Sequence, residues 1–339
     1  MPCTLLLPVH LTTSDLPSWL VALIAFGFGA IWGSFFNVAI YRWPLGLSVV
    51  RPPSHCPYCR ARIPLQLNVP IFGYLMLRGK TACCSQPLSP RYPMVEALSA
   101  VLCVAVAQRF VVGAPPDTPL LNAAALALCY FAFCGGLLIA TFADLEHMEI
   151  PDEVSLPGAA LGLLTAVYRD PPGPEAAAIG AGGGFLLIQV LFVWTYEAVF
   201  GRRGMGEGDS KLLLMIGAFL GWQGALFALF AGAAQGLAVA IVALLRGKLK
   251  PPPPPTAADA RAPTAVPGDP TSGDAPQPDG EHGDDEPLDD EPPPRWVGHM
   301  KLPFGPFLAL GALEHLFFGD VITAAWLDFM GGVRLPWLQ

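Results

Sequence analysis

Charged positions divide this chain into long apolar stretches joined by short polar ones, and the stretch lengths set how often it can cross a membrane. Residues Leu16 to Tyr41 carry no charge, and one membrane-spanning helix needs roughly 20 apolar residues. No basic segment precedes this run and no small-residue cleavage site ends it, so it is expected to be a retained first span rather than a signal peptide. Further spans are predicted at Met94 to Phe110, Pro119 to Ala143, Val154 to Tyr168 and Ala176 to Phe200. The uncharged run Leu212 to Leu245 is 34 residues, too long for one span, and is expected to form two that turn near Gly221-Trp-Gln-Gly224. A last span runs from Leu302 to about Phe318. The pattern predicts an all-α polytopic membrane protein of about eight transmembrane helices.

With alternating spans, the loops 42–93, 144–152, 201–211 and 246–301 hold sixteen of the nineteen lysines and arginines, leaving Arg109, Arg169 and Arg334 on the other side. Basic loops face the cytoplasm. Both termini are therefore expected outside the cytoplasm. Five regions follow: an N-terminal segment and first span (1–41), a small cytoplasmic cysteine-containing domain (42–93), a transmembrane core (94–250), a linker (251–294), and a last span with its tail (295–339).

Composition sharpens two points. Only 14% of residues are charged and 53% are hydrophobic, against about 25% charged in soluble domains. The formal net charge of -8 misleads, because residues 251–294 alone hold eleven acids and one base. That segment begins with five prolines and contains fourteen; it lacks the apolar side chains to offset the entropy of ordering, and a disordered linker is expected. Nothing in the composition calls for a nucleic-acid partner; the lipid bilayer is the partner it requires.

The candidate chemistry sits at span ends. Gly204-Met-Gly-Glu-Gly-Asp-Ser-Lys211 places Asp209 where a hydrophobic helix leaves the water layer, and acids at such depth are functional candidates by default. Gly206 and Gly208 offer unusual backbone dihedrals and close approach to another chain, and Lys211 completes the loop. Asp144 is the first charge after Asp117 and matches Asp209 in depth and side. Two carboxylates suffice to hydrolyse a peptide bond, one ionised to activate water and one protonated to assist the carbonyl. Asp209 begins a helix and Asp144 ends one, so helix dipoles would make Asp209 the anion. Asp152, after Pro151, is expected to cap the next helix, and His147 to be a surface histidine. Gly33, Ser34 and Asn37 are expected to serve helix packing. No G-x-S-x-G elbow or H-E-x-x-H helix is present.

Cys56-Pro-Tyr-Cys59 presents two thiols on one knuckle, and Cys83-Cys84 supplies a second pair, together a candidate zinc site. On a cytoplasmic face the thiols stay reduced, which favours metal over a disulfide. Cys3 is expected to lie alone outside the cytoplasm, and Cys103, Cys129 and Cys134 to fill space within spans.

These residues together resemble the bacterial type 4 prepilin peptidases. The likeness is carried by Gly33-Ser-Phe-Phe-Asn-Val with Tyr41-Arg42, Cys56-Pro-x-Cys59, Arg78-Gly79, Ser89-Pro-Arg-Tyr-Pro-x-Val-Glu96, Asp144 with Ile150-Pro-Asp152, Gly206-x-Gly-Asp209 and Pro303-Phe-Gly-Pro306. It implies a bacterial inner-membrane aspartic peptidase that cuts prepilin or pseudopilin leaders after glycine on the cytoplasmic side. It also implies N-methylation of the new amino terminus with S-adenosylmethionine, and catalytic roles for Asp144 and Asp209. Many relatives carry two C-x-x-C knuckles, and alignment puts their third cysteine at Thr81, with Cys84 matching the fourth. Cys83 is therefore expected to replace the missing ligand beside Cys56, Cys59 and Cys84. Two other classes use some of these features. A proton-coupled transporter would use intramembrane acids but should show an internal repeat, and a zinc-knuckle scaffold would leave the glycines around Asp209 without purpose.

Overall fold

The computed structural model describes residues 11–51, 56, 58, 59, 61–64, 69–201, 205–246 and 303–329. The expected linker 251–294 and Cys3 lie outside them. The described residues contain no β-strands, only the isolated bridges Thr12 with Pro119 and Lys80 with Pro87. Nine α-helices run in order among them: α1 (Ser18–Arg42), α2 (Phe72–Met76), α3 (Arg91–Ala107), α4 (Leu120–His147), α5 (Asp152–Thr165), α6 (Gly173–Leu187), α7 (Tyr196–Phe200), α8 (Glu207–Leu245) and α9 (Gly305–Phe329). A π-helical turn extends α3 over Gln108–Val112, and another joins α6 to α7 over Ile188–Thr195. Six helical segments among the described residues are long and apolar enough to cross a membrane.

One of the six is two. Helix α8 has 39 residues, and Gly221 within it has φ 71 and ψ -176, which only glycine adopts readily. On one side of that break α8 runs antiparallel to α6, with Gly184 against Leu213 and Gly180 against Gly217. On the other side Gly224 meets His315 and Gly232 meets Leu308. Because α9 starts at the same level as Asp144, the chain has reversed at Gly221. The expected turn near Gly221-Trp-Gln-Gly224 is thus a helical hairpin. Counting both arms separately gives seven long apolar segments among the described residues, and α5 with its following 3-10 turn Ala166–Tyr168 is a shorter helix at the place of the remaining expected span. The fold is an all-α polytopic membrane protein.

Small residues decide the closest crossings. A Cβ on Gly29 would lie 2.6 Å from Cys103 Cβ, and one on Gly33 would lie 2.6 Å from Glu96 Cα, so α1 and α3 pack backbone to backbone. The Ser99 hydroxyl donates to the Gly29 carbonyl at 2.7 Å in the same seam. Asn37 donates to the carbonyls of Gly33 and Tyr92 at 3.3 and 3.0 Å, the packing role expected of it. Helix α4 lies between the others, and its Phe133 stacks on Phe219 of α8 with ring centroids 4.4 Å apart. Arg169, expected on a loop, is 3% exposed. Its guanidinium donates to the carbonyls of Gly162, Ala218 and Phe219, the last two left without helical partners where the chain breaks at Gly221.

The chain divides into two compact units, Met1–Ala238 with Pro303–Gln339, and Val239–Leu302. The first holds all the residues that follow. Of the second, the described residues are the end of α8 and Arg246.

Candidate active site

Asp144 sits in the last turn of α4, which stops when Met148 turns left-handed at φ 56 and returns its N–H to the Asp144 carbonyl at 3.0 Å. Asp209 is the third residue of α8. Both side chains are buried, at 6% and 8% exposure, and Asp144 lies close enough for its charge to act on Asp209. Between α4 and α5, buried Ile150 reaches into the space left by two glycines. A Cβ on Gly208 would lie 3.0 Å from Ile150 Cβ, and one on Gly305 would lie 3.0 Å from Ile150 Cδ1. The ends of α4, α8 and α9 therefore converge on one point.

Gly305 opens α9, where the first backbone N–H groups have no helical acceptor. One of them donates to Asp144 Oδ2 at 2.9 Å. A Cβ there would come within 2.7 Å of the same oxygen. Asp209 has the Gly206 backbone N–H beside its carboxylate. Each acid thus faces a backbone donor supplied by a glycine, and the helix-end argument that singled out Asp209 as the anion meets an opposing hydrogen bond at Asp144. The two acids are best treated as one titrating unit.

Three expectations are corrected. Gly206 and Gly208 are not among the residues with positive φ; Gly208 is needed for closeness to Ile150, not for its dihedrals. Asp152 makes no cap hydrogen bond, because Pro151 holds the cap position and Asp152 is already helical. Its carboxylate instead receives Lys211 Nζ at 2.7 Å on both oxygens, tying the start of α5 to the start of α8. His147 is half-buried, with Nε2 enclosed and without a hydrogen-bond partner. Two contacts carried no sequence signal. Glu146, two residues after Asp144, pairs with Arg91 at the start of α3, and buried Ser210 donates to Gln189 at 3.1 Å within the π-helical turn.

The four cysteines meet as expected. The sulfurs of Cys56, Cys59, Cys83 and Cys84 lie within 4.8 Å of one another. Cys59 and Cys83 are 3.1 Å apart, Cys56 and Cys84 3.7 Å, and Cys83 and Cys84 3.9 Å. Four sulfurs around a tetrahedral zinc, with bonds of about 2.3 Å, would stand roughly 3.8 Å apart, so the donor set fits the ion. Burial opposes ionisation of Cys56, yet the Cys59 and Tyr58 backbone N–H groups and the thiols of Cys83 and Cys59 bring its pKa down to about 6. The Cys83 thiol is pushed up to about 12, chiefly because the Cys59 and Cys56 sulfurs engage its proton. Thr81 is buried beside the cluster, not in it. Its oxygen accepts the Gln86 N–H at 2.9 Å and lies 3.1 Å from Cys84 Sγ, within hydrogen-bonding reach of that sulfur.

A buried aspartate pair at the ends of membrane helices, one acid in a Gly-x-Gly-Asp turn, is the arrangement of an intramembrane aspartic peptidase. Residues 28–110 match the Bacterial Peptidase A24 N-terminal domain, and residues 131–241 match the Type IV leader peptidase family. A protein of Myxococcus xanthus (strain DK1622) is 34% identical over 333 residues, covering 92% of this chain and 96% of its own. One from Klebsiella pneumoniae is 36% identical over 201 residues, 58% of this chain and 83% of its own. One from Burkholderia pseudomallei (strain 1026b) is 27% identical over 329 residues, 90% of this chain and 87% of its own. Each is named prepilin leader peptidase/N-methyltransferase. No solved structure matches. The chain belongs to the prepilin leader peptidase/N-methyltransferase family.

Proposed function

We propose that this protein is an inner-membrane aspartic endopeptidase that removes the leader of type IV prepilins or pseudopilins after glycine, on the cytoplasmic side, and then methylates the new amino terminus. The observation that carries the peptidase half is the meeting at Ile150 of Gly208 and Gly305, which bring the helix ends bearing buried Asp209 and Asp144 together, with the Gly305 N–H fixing the Asp144 carboxylate. With one proton shared by the pair, the ionised carboxylate takes a proton from water as its oxygen bonds to the scissile carbonyl carbon. The protonated carboxyl group gives its proton to the carbonyl oxygen. Collapse of the tetrahedral diol breaks the C–N bond as the first acid returns its proton to the departing amine and the second takes a proton from a diol hydroxyl, which restores the shared proton of the pair. Gly206, where a Cβ would meet only Asp209 Oδ2 at 3.6 Å and Gly208 N at 3.9 Å, leaves space in which an extended substrate backbone can lie, while Gly208 admits Ile150, and the Lys211–Asp152 pair holds the two helix starts that frame it.

The cytoplasmic placement follows from the bases of loops 42–93 and 201–211. Cys56, Cys59, Cys83 and Cys84 would hold zinc, which when bound cross-links the knuckle to the segment before α3. S-adenosylmethionine is the donor that methylation requires. A proton-coupled transporter accounts for the buried acids but not for a glycine N–H aimed at Asp144. The test is to mix purified protein with a candidate prepilin and S-adenosylmethionine and weigh the product's amino terminus. A chain shortened to the residue after glycine and carrying one added methyl group is expected. An uncut substrate would overturn the proposal.

A further inference from the structure

Helix α2 lies in a segment that reads as polar, yet it shows an apolar surface. Its five residues expose Phe72 at 61%, Leu75 at 61% and Met76 at 74%, and Val69 just before it at 47%. Arg78 and Lys80 follow, both exposed. A soluble loop has no reason to display such a cluster.

Depth identifies what covers it. The Ile71 N–H donates to Glu96 Oε2 at 2.6 Å, and Glu96 lies one and a half turns into α3. At a rise of about 1.5 Å per residue, five residues from Arg91 to Glu96 amount to about 7.5 Å below the start of that span. Gly33 of α1 touches Glu96 Cα and is nine residues from Arg42, about 13 Å from the charged end of its own helix by the same rise. Ile71, just before α2, is therefore held beside two spans by the Glu96 side chain. The chain turns there sharply: Ile71 has φ 63 and ψ -53, and the Phe72 N–H reaches the Pro70 carbonyl at 2.6 Å. A β-branched residue is strained in that region of φ, and the Glu96 carboxylate holds it. The apolar side chains of α2 follow directly from the level of Glu96.

We propose that α2 is an interfacial element. Val69, Phe72, Leu75 and Met76 lie among lipid acyl chains, and Arg78 and Lys80 lie at lipid phosphates. Because α2 falls between Cys59 and Cys83 in the chain, it fastens the cysteine cluster to the membrane surface. The proposal rests on α1 and α3 being membrane spans, not on the peptidase reading.

The test uses the full chain with a benzophenone amino acid at Phe72, Leu75 or Met76, one position at a time. The protein is reconstituted in vesicles of phosphatidylethanolamine and phosphatidylglycerol, irradiated and weighed. Ile31 on α1, 65% exposed, is the lipid-facing control, and Tyr58 beside Cys59, 57% exposed, is the aqueous one. Lipid adducts at the α2 positions comparable to those at Ile31, and several-fold above those at Tyr58, are expected. Labelling no higher than at Tyr58, or adducts to a second polypeptide, would overturn the proposal. Absence of lipid adducts at Ile31 as well would contradict the spans themselves and the proposal with them.

Discussion

At the scale of single residues, the contact that most constrains the chemistry is the Gly305 N–H on Asp144. Gly305 has no positive φ, so alanine fits the backbone there, but its methyl group would stand 2.7 Å from the Asp144 oxygen. Gly305→Ala is expected to slow cleavage by about tenfold or more, ~1.4 kcal/mol of transition-state stabilisation, with the thermal midpoint nearly unchanged. A wild-type rate in a steady-state assay would count against it. The Lys211–Asp152 pair is partly exposed, 27% and 52%, and such pairs contribute under ~1 kcal/mol to stability. Its role is to hold two helix starts, so Lys211→Ala and Asp152→Ala should slow cleavage similarly, and the double mutant no more than either single one. Additive losses would show that the two act separately. At the cysteines, Cys83→Ser should reduce bound zinc well below the wild-type content, measured by metal analysis. The sequence already pointed to both aspartates and all four thiols, because acids at the ends of uncharged runs and paired cysteines are readable in one dimension. Gly305's donor and Asp152's partner were not readable. Each depends on which helix start faces which, and a capping motif looks the same whether or not its side chain is drawn away by a lysine.

At the scale of elements, glycine decides which helices touch. A Cβ on Gly217 would lie 2.2 Å from the Gly180 backbone, whereas one on Gly182, a few residues along α6, would meet nothing within 4 Å. Gly217→Val is therefore expected to cost ~1–3 kcal/mol or more through overpacking, and Gly182→Ala almost nothing. Thermal unfolding in detergent compares the two, and equal midpoints would contradict the crossing. The hairpin at Gly221 was legible because 34 uncharged residues cannot form one span and the glycines mark the turn. The capping of its first arm by Arg169 was not. In the charge pattern Arg169 is one more loop base, and only the fold shows it buried against Ala218 and Phe219. Helix α2 escaped the hydropathy pattern for a different reason: five residues are too few to register against basic neighbours.

At the scale of the whole molecule, the membrane segments and the peptidase family were legible because a bilayer imposes long uncharged runs and the motifs fall in order along them. How those segments pack depends on the small-residue contacts above. Residues 256–290 lie within the expected linker, between α8 and α9. Deleting them should leave cleavage within a few-fold of wild type, since closure entropy changes by only ~0.6 kcal/mol per doubling of loop length. A folded deletion protein without activity would show that the segment docks on enzyme or substrate. The central claim is that Asp144 and Asp209 together cut the substrate. The most direct measurement is the cleavage of a purified prepilin by Asp144→Asn and Asp209→Asn proteins that elute and unfold like the wild type. Each is expected to leave the substrate at full mass over times in which the wild type converts it completely; conversion by either mutant at a rate near that of the wild type would contradict the claim.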